Sequence, residues 1–286
     1  MNLENLINED VRGLSSTIGM MMRRASKIPG AVSLGQGIPA ETLPEYVLED
    51  IKDVIARNEF NKYSPMAGMP TFRAEVAEHL ISKYPGQQID PEKNILITCG
   101  AAEACAISLA AVLKKGDEVI LFSPCYPSHI DHVRLSGGVP VFVPLNEDDN
   151  WSVDVDALKS AITEKTRAII VCNPSNPTGG VFTRKDIEAI LDIVCDRDIF
   201  ILNDETYNYL IYEGAEFCSL LDVVKEPSDQ IINCFSFSKE FAMTGLRVGY
   251  MYVSEKMLEQ ILKVHITMTI CSPTLSQQIG SVMLKH

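Results

Sequence analysis

The stretch CFSFSKEFAMTGLRVGY, residues 234–250, contains a lysine whose surroundings decide how the chain is interpreted. Lys239 follows an apolar run, has a single acidic neighbour in this stretch, and lies among the hydroxyls of Ser236, Ser238 and Thr244. A lysine with these neighbours is not typical of an ordinary solvated surface. The stretch therefore suggests an amine that reacts with a partner.

Short apolar runs alternate with amphipathic stretches outward from this segment. Strands are predicted at 94–100, 117–124, 139–145, 167–174, 199–205, 231–238 and 247–253. Helices are predicted between them at 102–115, 127–137, 154–163 and 183–197, the last with a capping signal at Thr183 and Asp186. Nearly continuous Val, Ile and Leu strands separated by helices are typical of a mainly parallel sheet covered on both faces. We therefore predict an α/β fold, a three-layer sandwich around a mainly parallel seven-stranded sheet, over about residues 70–260.

Composition and charge exclude several classes of protein. The 286 residues are 46% hydrophobic with a net charge of −13, which allows a substantial core but argues against nucleic acid or an anionic membrane as a partner. No two of the eight cysteines are closer than six residues, so we predict no metal site and no disulfide framework, only reduced thiols in a cytoplasmic protein. The sequence has neither a secretory signal pattern nor a run of 18 apolar residues, so no membrane span is predicted.

Chemically distinctive residues follow the ends of the predicted strands, where ligands bind in parallel sheets. The small residues Gly100-Ala101-Ala102 open a helix whose N–H groups and positive terminus can approach a phosphate. The octet NPSNPTGG (173–180) makes a rigid turn after the next such strand. Asp204 and Tyr207 follow another strand, and Lys239 and Arg247 come after a further one.

Each of these features also has an ordinary structural interpretation. Small residues at a strand–helix turn commonly serve close packing, and a carboxylate such as Asp204 is often a helix N-cap. Lys239 taken alone is more typical of a surface residue, and Arg247 of a salt-bridge partner. The combination of an anion site, a carboxylate, a phenol, an asparagine and a lysine is what favours one shared cofactor site.

These parts together resemble the fold-type I pyridoxal-phosphate enzymes, specifically the class I/II aminotransferase family. The matching motifs are YSPMAGMPTFRAEV, GAAEA, PCYPSH, NPSNPTGG, NDETY and SFSKEFAMTGLRVGY, in the family's order over about residues 33–255. NPSNPTGG together with SFSKxxxxxGxRxGY is highly specific. The resemblance implies pyridoxal 5'-phosphate as cofactor, and an amino acid and a 2-oxo acid as substrates.

The resemblance implies a role for each matched residue. Lys239 matches the lysine that forms the internal aldimine with the cofactor and then moves the substrate α-proton. Asp204 matches the carboxylate that keeps the pyridine nitrogen protonated, and Tyr207 with Asn176 matches the pair that binds the phenolate oxygen. The other implied cofactor contacts are a stacking aromatic, Tyr126, and the phosphate ligands Ser236, Ser238, Arg247, Ala101 and Ala102.

Two further matches compete with ordinary interpretations. Tyr63 in KYSP matches a tyrosine that reaches the phosphate of a neighbouring subunit, which implies a homodimer with shared active sites. Gly37 in GQGIP matches a backbone position near the substrate carboxylate, and Asn176 is the other residue implied in substrate binding. A packed tyrosine and a turn glycine are the alternatives.

Two peptide bonds that precede prolines at strand ends give a further prediction. We predict that one or both of Ser123-Pro124 and Asn176-Pro177 are cis, because each lies at a strand end that must direct a side chain toward the ring.

The domain organisation departs from the family. We predict an N-terminal arm and loop at 1–45 and a cofactor-binding large domain at 46–286. The family's C-terminal small domain, which carries the arginine for the substrate α-carboxylate, has no match, so we expect a fragment or a natural truncation. Three functions stay open: an aminotransferase, a β-lyase or aminocyclopropane-carboxylate synthase-like enzyme, and a non-catalytic cofactor-binding domain.

Overall fold

The computed structural model describes residues 7, 8, 11, 14, 17–32, 34–35, 37–40 and 42–286, so the predicted arm at 1–45 lies partly outside the described residues. The helices are α1 (Thr17–Ala25), α2 (Glu45–Arg57), α3 (Pro70–Lys83), α4 (Pro91–Asn94), α5 (Ala101–Val112), α6 (Pro127–Leu135), α7 (Val155–Ala161), α8 (Arg184–Val194), α9 (Leu220–Val223), α10 (Phe237–Glu240), α11 (Glu255–Thr269) and α12 (Thr274–Met283). The strands are β1 (Ile95–Thr98), β2 (Glu118–Ser123), β3 (Val139–Asn146), β4 (Ser152–Val153), β5 (Thr166–Cys172), β6 (Phe200–Asp204), β7 (Ile231–Ser236) and β8 (Gly249–Tyr252).

The strands form one sheet in the order β1-β8-β7-β6-β5-β2-β3-β4. Strands β3, β2, β5, β6 and β7 are parallel neighbours, whereas β8 is antiparallel to β7 and β1, and β4 is antiparallel to β3. The α/β fold class and all seven predicted strands are confirmed. The eighth strand, β4, has two residues, which is too short for the apolar pattern that predicts a strand.

Alternate residues of the strands bury their side chains on opposite faces of the sheet. Ile120 and Ile169 pack in one cluster with α8, whereas Leu121 and Ile170 pack in another with α5. A third cluster joins strands β1, β7 and β8 to α2, α3 and α12 on the face opposite α5. Helices therefore cover both faces, which explains why the strands are apolar throughout.

The predicted helices are present, and one predicted cap is confirmed. The Thr183 side chain accepts a hydrogen bond from the Asp186 N–H, and the Asp186 carboxylate accepts one from the Thr183 N–H, a reciprocal capping box that begins α8. Helices α5, α6, α7 and α8 end two or three residues before their predicted limits. No helix in the described part of the chain is long and apolar enough to cross a membrane.

The carboxyl ends of the parallel strands form one edge of the sheet, where the distinctive residues gather. β5 ends at Cys172, β6 at Asp204 and β7 at Ser236. Because β8 is antiparallel to both of its neighbours, Gly249 at its start lies opposite Ser236 and opposite Thr98 at the end of β1. The loops after β1, β5, β6 and β7 and the loop before β8 therefore meet at this edge.

Three peptide bonds near this edge are cis. Ser123-Pro124 and Asn176-Pro177 are both cis, as predicted, and Asn173-Pro174 is a third that the sequence reasoning missed.

Candidate active site

Asp204 is the last residue of β6, and its buried carboxylate has hydrogen-bond partners on both oxygens. Its Oδ2 lies 3.0 Å from Nε2 of His129 in α6. Its Oδ1 accepts hydrogen bonds from the backbone N–H of Thr206 at 3.0 Å and from the Thr206 hydroxyl at 2.7 Å. A carboxylate this deeply buried stays charged only when it is paired and hydrogen-bonded in this way.

The carboxylate of Asp204 and the imidazolium of His129 stabilise each other. Burial disfavours the imidazolium of His129, but hydrogen bonds with Asp204 and Cys105 outweigh burial and raise the pKa of His129 to about 10. Burial likewise acts to raise the pKa of Asp204, but the hydrogen bond from His129 and those from Thr206 lower it overall. At neutral pH the strand end therefore carries a carboxylate beside an imidazolium.

The same cluster contains metal-ligand atoms. Single ligand atoms of Cys105, His129 and Asp204 lie within 4.8 Å of one another. Hydrogen bonds already occupy the His129 Nε2 and both oxygens of Asp204. In this arrangement these hydrogen bonds hold Asp204 in place.

Tyr207, Asn176 and Tyr126 lie around Asp204. The side-chain amide of Asn176 donates a hydrogen bond to the Tyr207 hydroxyl oxygen over 3.3 Å. Burial, and then the nearby Cys172 and Asp204, raise the pKa of Tyr207 to about 12, so the phenol keeps its proton at neutral pH. Tyr126 precedes α6, and its ring meets that of His129 edge to face with centroids 5.3 Å apart.

Lys239 lies in the short helix α10, directly after β7. Its Nζ donates a hydrogen bond to the backbone oxygen of Gly37. Burial, and then the positive charge of Arg247, lower the pKa of Lys239. Both effects raise the fraction of neutral amine, which is the nucleophilic form. Because β7 and β6 are paired neighbours, Asp204 at the end of β6 and Lys239 just after β7 lie at the ends of adjacent strands.

The start of α5, the guanidinium of Arg247 and two serines form a candidate anion site. No side chain caps α5 at Gly100, which leaves the first N–H groups of the helix, at Ala101 and Ala102, for a ligand. A Cβ added to Gly100 would lie 2.7 Å from a guanidinium nitrogen of Arg247, so glycine here lets the arginine approach the helix start. The other members are the serines that begin α10: the Ser236 hydroxyl oxygen accepts from the Ser238 N–H over 3.1 Å.

Sequence reasoning missed two residues of the site, and its contact of Tyr63 with a neighbouring subunit stays a prediction. Tyr63 is 77% exposed, and among the described residues its side chain makes no hydrogen bond to the site. His129 and Thr206 both bind Asp204 but were not predicted. His129 follows Tyr126 by three positions in PCYPSH, one helical turn, and this spacing is the signal that points to it.

The fold and the arrangement at its sheet edge define a fold-type I transferase. The chain belongs to the aminotransferase class I and II family, whose model matches residues 29–286.

Relatives of known name are similar over nearly the whole chain. Aromatic-amino-acid aminotransferase 2 of Thermococcus litoralis is 36% identical over 272 residues, which cover 94% of this chain and 69% of that protein. An aspartate aminotransferase of Pyrococcus abyssi is 34% identical with the same coverage. The crystal structure of an aspartate aminotransferase from Thermotoga maritima superposes with a TM-score of 0.91 at 30% identity, covering 98% of this chain and 75% of that one. The family recognised from the motifs is therefore confirmed.

Proposed function

We propose that this chain is a pyridoxal 5'-phosphate-dependent aminotransferase, which moves an amino group from an L-amino acid to a 2-oxo acid. One observation carries the proposal: an ionised, buried carboxylate at Asp204 and a lysine amine of lowered pKa at Lys239 lie at the ends of adjacent strands, at one sheet edge. Such an amine attacks an aldehyde, and such a carboxylate favours a protonated ring nitrogen.

The described residues fit this cofactor group by group. The start of α5 and Arg247 suit a phosphate, and a side chain at Gly100 would fill the space between them. Tyr126 offers an aromatic face for the ring. The remaining groups match by chemistry: Asp204 for the ring nitrogen, Tyr207 and Asn176 for the phenolic oxygen, Lys239 for the aldehyde, and Ser236 and Ser238 for the phosphate.

The residues of the chain have separate roles in the proposed reaction. When bound, pyridoxal phosphate supplies an electron sink for the negative charge that develops on the substrate α-carbon. Asp204 would accept a hydrogen bond from the ring N–H, and His129 keeps Asp204 ionised and oriented. Nζ of Lys239 would carry the proton from the substrate α-carbon to the imine carbon of the cofactor.

We propose aspartate or an aromatic amino acid as the donor, since two relatives carry these names. We assign Gly37 and Asn176 to the substrate. The hydrogen bond between the Gly37 oxygen and Lys239 supports this assignment, because it keeps the loop of Gly37 beside the reactive amine.

The test uses the visible absorbance of the bound cofactor. Protein incubated with pyridoxal phosphate and then dialysed is expected to be yellow, and borohydride should fix the label on Lys239. Lys239→Ala should lose the label and turnover while still binding cofactor non-covalently. Lys256→Ala, at a side chain that is 84% exposed, is the matched control and should keep both. A borohydride label on any other lysine would overturn the proposal.

Amino acids added one at a time then separate the reaction types. Loss of the visible band with formation of pyridoxamine phosphate indicates transamination, the expected result. Pyruvate with ammonia indicates a β-lyase, and an unchanged spectrum with every amino acid indicates a cofactor-binding domain without turnover.

We also propose a homodimer with shared active sites. Hydrogen bonds tie the loop of Tyr63 to the start of α12, from Thr274 to the Lys62 oxygen at 2.8 Å and from Gln277 to the Ser64 hydroxyl at 2.9 Å. Exposed large side chains flank these bonds: Tyr63, Met66, Met268 and Ile270. Exposed apolar side chains such as these favour burial against a second copy.

We propose a cytoplasmic location as well. All eight cysteines are free, which suits a reducing compartment.

A further inference from the structure

Glu205 is a buried carboxylate to which the proposed chemistry gives no role. It directly follows Asp204, and it is 1% exposed. Oε1 accepts hydrogen bonds from the Ser219 hydroxyl at 2.5 Å and the Asn203 amide at 2.9 Å. Oε2 accepts from the Tyr84 hydroxyl at 3.0 Å and the Asn208 amide at 3.4 Å. All four partners donate, so an ionised carboxylate, which only accepts, satisfies them together.

On one side, this network crosses the sheet. The Asn203 amide also donates to the Asn233 side-chain oxygen over 3.0 Å, and the Asn233 amide donates to the Tyr252 backbone oxygen over 3.1 Å. These three residues are cross-strand neighbours on β6, β7 and β8. Glu205 is thereby connected to three adjacent strands.

On the other side, the network joins the end of α3. Nζ of Lys83 donates to the Asn208 backbone oxygen over 3.2 Å and lies 3.4 Å from the centroid of the Tyr209 ring. Burial lowers the pKa of Lys83 to about 8, and the carboxylates of Glu240 and Glu205 act against that lowering. The ammonium therefore serves as a nearby countercharge for a carboxylate whose own pKa burial raises.

Asp204 and Glu205 are anchored in opposite directions. Asp204 pairs with α6 through His129, whereas Glu205 is bound by Tyr84 at the end of α3 and by Ser219 at the start of α9. The turn of residues 206–209 that carries Tyr207 follows immediately, and Lys83 and Glu205 both bind Asn208 within it.

We propose that Glu205 is a positioning residue, which holds the turn of residues 204–209 against α3 and α9 and thereby fixes Asp204 and Tyr207 relative to each other. The effect of Glu205 on catalysis rests on the proposed function, but its effect on the position of the turn does not. The experiment therefore begins with the cofactor-free protein.

Glu205→Gln is the main variant. Its amide keeps the shape of the side chain, but whichever way it turns, its NH₂ faces an asparagine NH₂, that of Asn203 or Asn208, which cannot accept a hydrogen bond. Amide hydrogen exchange, measured by mass spectrometry on the cofactor-free chain, is expected to accelerate over 204–210 by about tenfold or more. Tyr84→Phe, which removes one donor to Glu205 and one acceptor of the Asn208 amide, should change exchange in the same segment by a smaller factor.

With cofactor added, the same variant is expected to bind pyridoxal phosphate about tenfold more weakly, the loss usual for an outer-shell partner. The visible band should also titrate at a different pH, because Tyr207 has moved. The KM for the amino acid should change by less than about twofold, since Glu205 does not touch the substrate.

Asp186→Asn is the matched control. Asp186 is also a buried, multiply bonded carboxylate, accepting from the N–H and hydroxyl of Thr183 and from the Val153 N–H. Its loss should lower the melting temperature without changing exchange at 204–210 or cofactor affinity. If Glu205→Gln behaves like this control, Glu205 is only structural and the proposal is overturned. If Glu205→Gln fails to fold, Tyr84→Phe decides by the same readouts.

The proposed function and the proposed role of Glu205 can be refuted independently of each other. Wild-type protein that binds no pyridoxal phosphate would refute the proposed function. The exchange comparison would still decide whether Glu205 holds the turn.

Discussion

At the scale of single residues, the charge on Asp204 decides what the site can do. A carboxyl group this buried would normally take up a proton, because burial penalises its charged form. The imidazolium of His129 and two hydrogen bonds from Thr206 reverse that preference. A neutral Asp204 could not hold a positive ring nitrogen, so the neighbours of this carboxylate are as necessary as the carboxylate itself.

Asp204→Asn tests this argument directly. The amide is neutral and close to isosteric, so we expect cofactor affinity to fall and the rate of α-proton removal to drop by about 100-fold or more. Single-turnover absorbance at saturating cofactor separates the rate from the affinity. An unchanged rate would show that Asp204 does not face the ring nitrogen.

His129→Gln tests the pairing through pH. His129 has an ordinary pKa of 6.5 and a folded pKa of about 10, so its contribution to stability is complete below pH 6.5 and is lost as the pH rises toward 10. Asp204, whose folded pKa is lowered, contributes stability that is lost only at the acid end, as the pH falls through that pKa. The wild-type melting temperature should therefore fall more steeply than that of His129→Gln between pH 6.5 and about 10. Parallel curves would contradict the pairing.

The sequence identifies the proposed reacting residues but not the residues that support them. Lys239 and Asp204 lie in short motifs whose chemistry is local. The partner of Asp204, His129, is 75 positions away in the chain, and the Tyr84 hydroxyl that binds Glu205 is 121 positions from it. Contacts at this separation depend on how helices dock on the sheet, and a single sequence carries no local pattern for that docking.

At the scale of elements, the sequence predicts which segments are strands, but it does not predict the direction in which each strand runs in the sheet. Continuous apolar runs predict the strands because both sheet faces are covered. They do not predict that β8 runs antiparallel, although this reversal brings Gly249 opposite both Ser236 and Thr98. The reversal matters for the site because it brings the segment of Arg247 back to the edge where α5 begins.

Gly249→Ala tests how closely β8 and the start of α5 approach. An added Cβ would lie 2.7 Å from the Phe235 oxygen, 2.7 Å from the Gly100 carbonyl carbon and 2.8 Å from the Ala101 nitrogen, and all three are backbone atoms. We expect a loss of about 1–3 kcal/mol in the free energy of unfolding, as for other overpacked sites. Phosphate-dependent cofactor binding should weaken with it, because the start of α5 must move.

The chain offers a close control for this substitution. A Cβ on Gly245 would meet no atom within 4 Å. Gly245→Ala is therefore expected to leave both the free energy of unfolding and the affinity for pyridoxal phosphate near wild-type values, as measured by denaturant unfolding and fluorescence titration. Equal effects from the two substitutions would refute the close approach.

At the scale of the whole molecule, Tyr63 matches a family residue whose role needs a second subunit. Tyr63 is 77% exposed, yet its loop is fixed to α12 by the hydrogen bonds of Ser64 and Lys62. An ordered loop that presents an aromatic side chain to solvent suits a contact with a second copy. In a two-fold dimer, each subunit would then supply a tyrosine to the other subunit's site.

Hybrid dimers test that exchange. Lys239→Ala lacks the reactive amine, and Tyr63→Phe lacks the hydroxyl proposed to reach the partner's phosphate. A mixed dimer then contains one site with both groups intact, its lysine from the Tyr63→Phe chain and its tyrosine from the Lys239→Ala chain. Each mixed dimer should therefore have about half the activity of a wild-type dimer, so co-refolding the two variants should restore activity that neither variant shows alone. Activity that equals the weighted sum of the separate variants would mean that Tyr63 serves its own subunit or none, and a monomer by light scattering would remove the premise altogether.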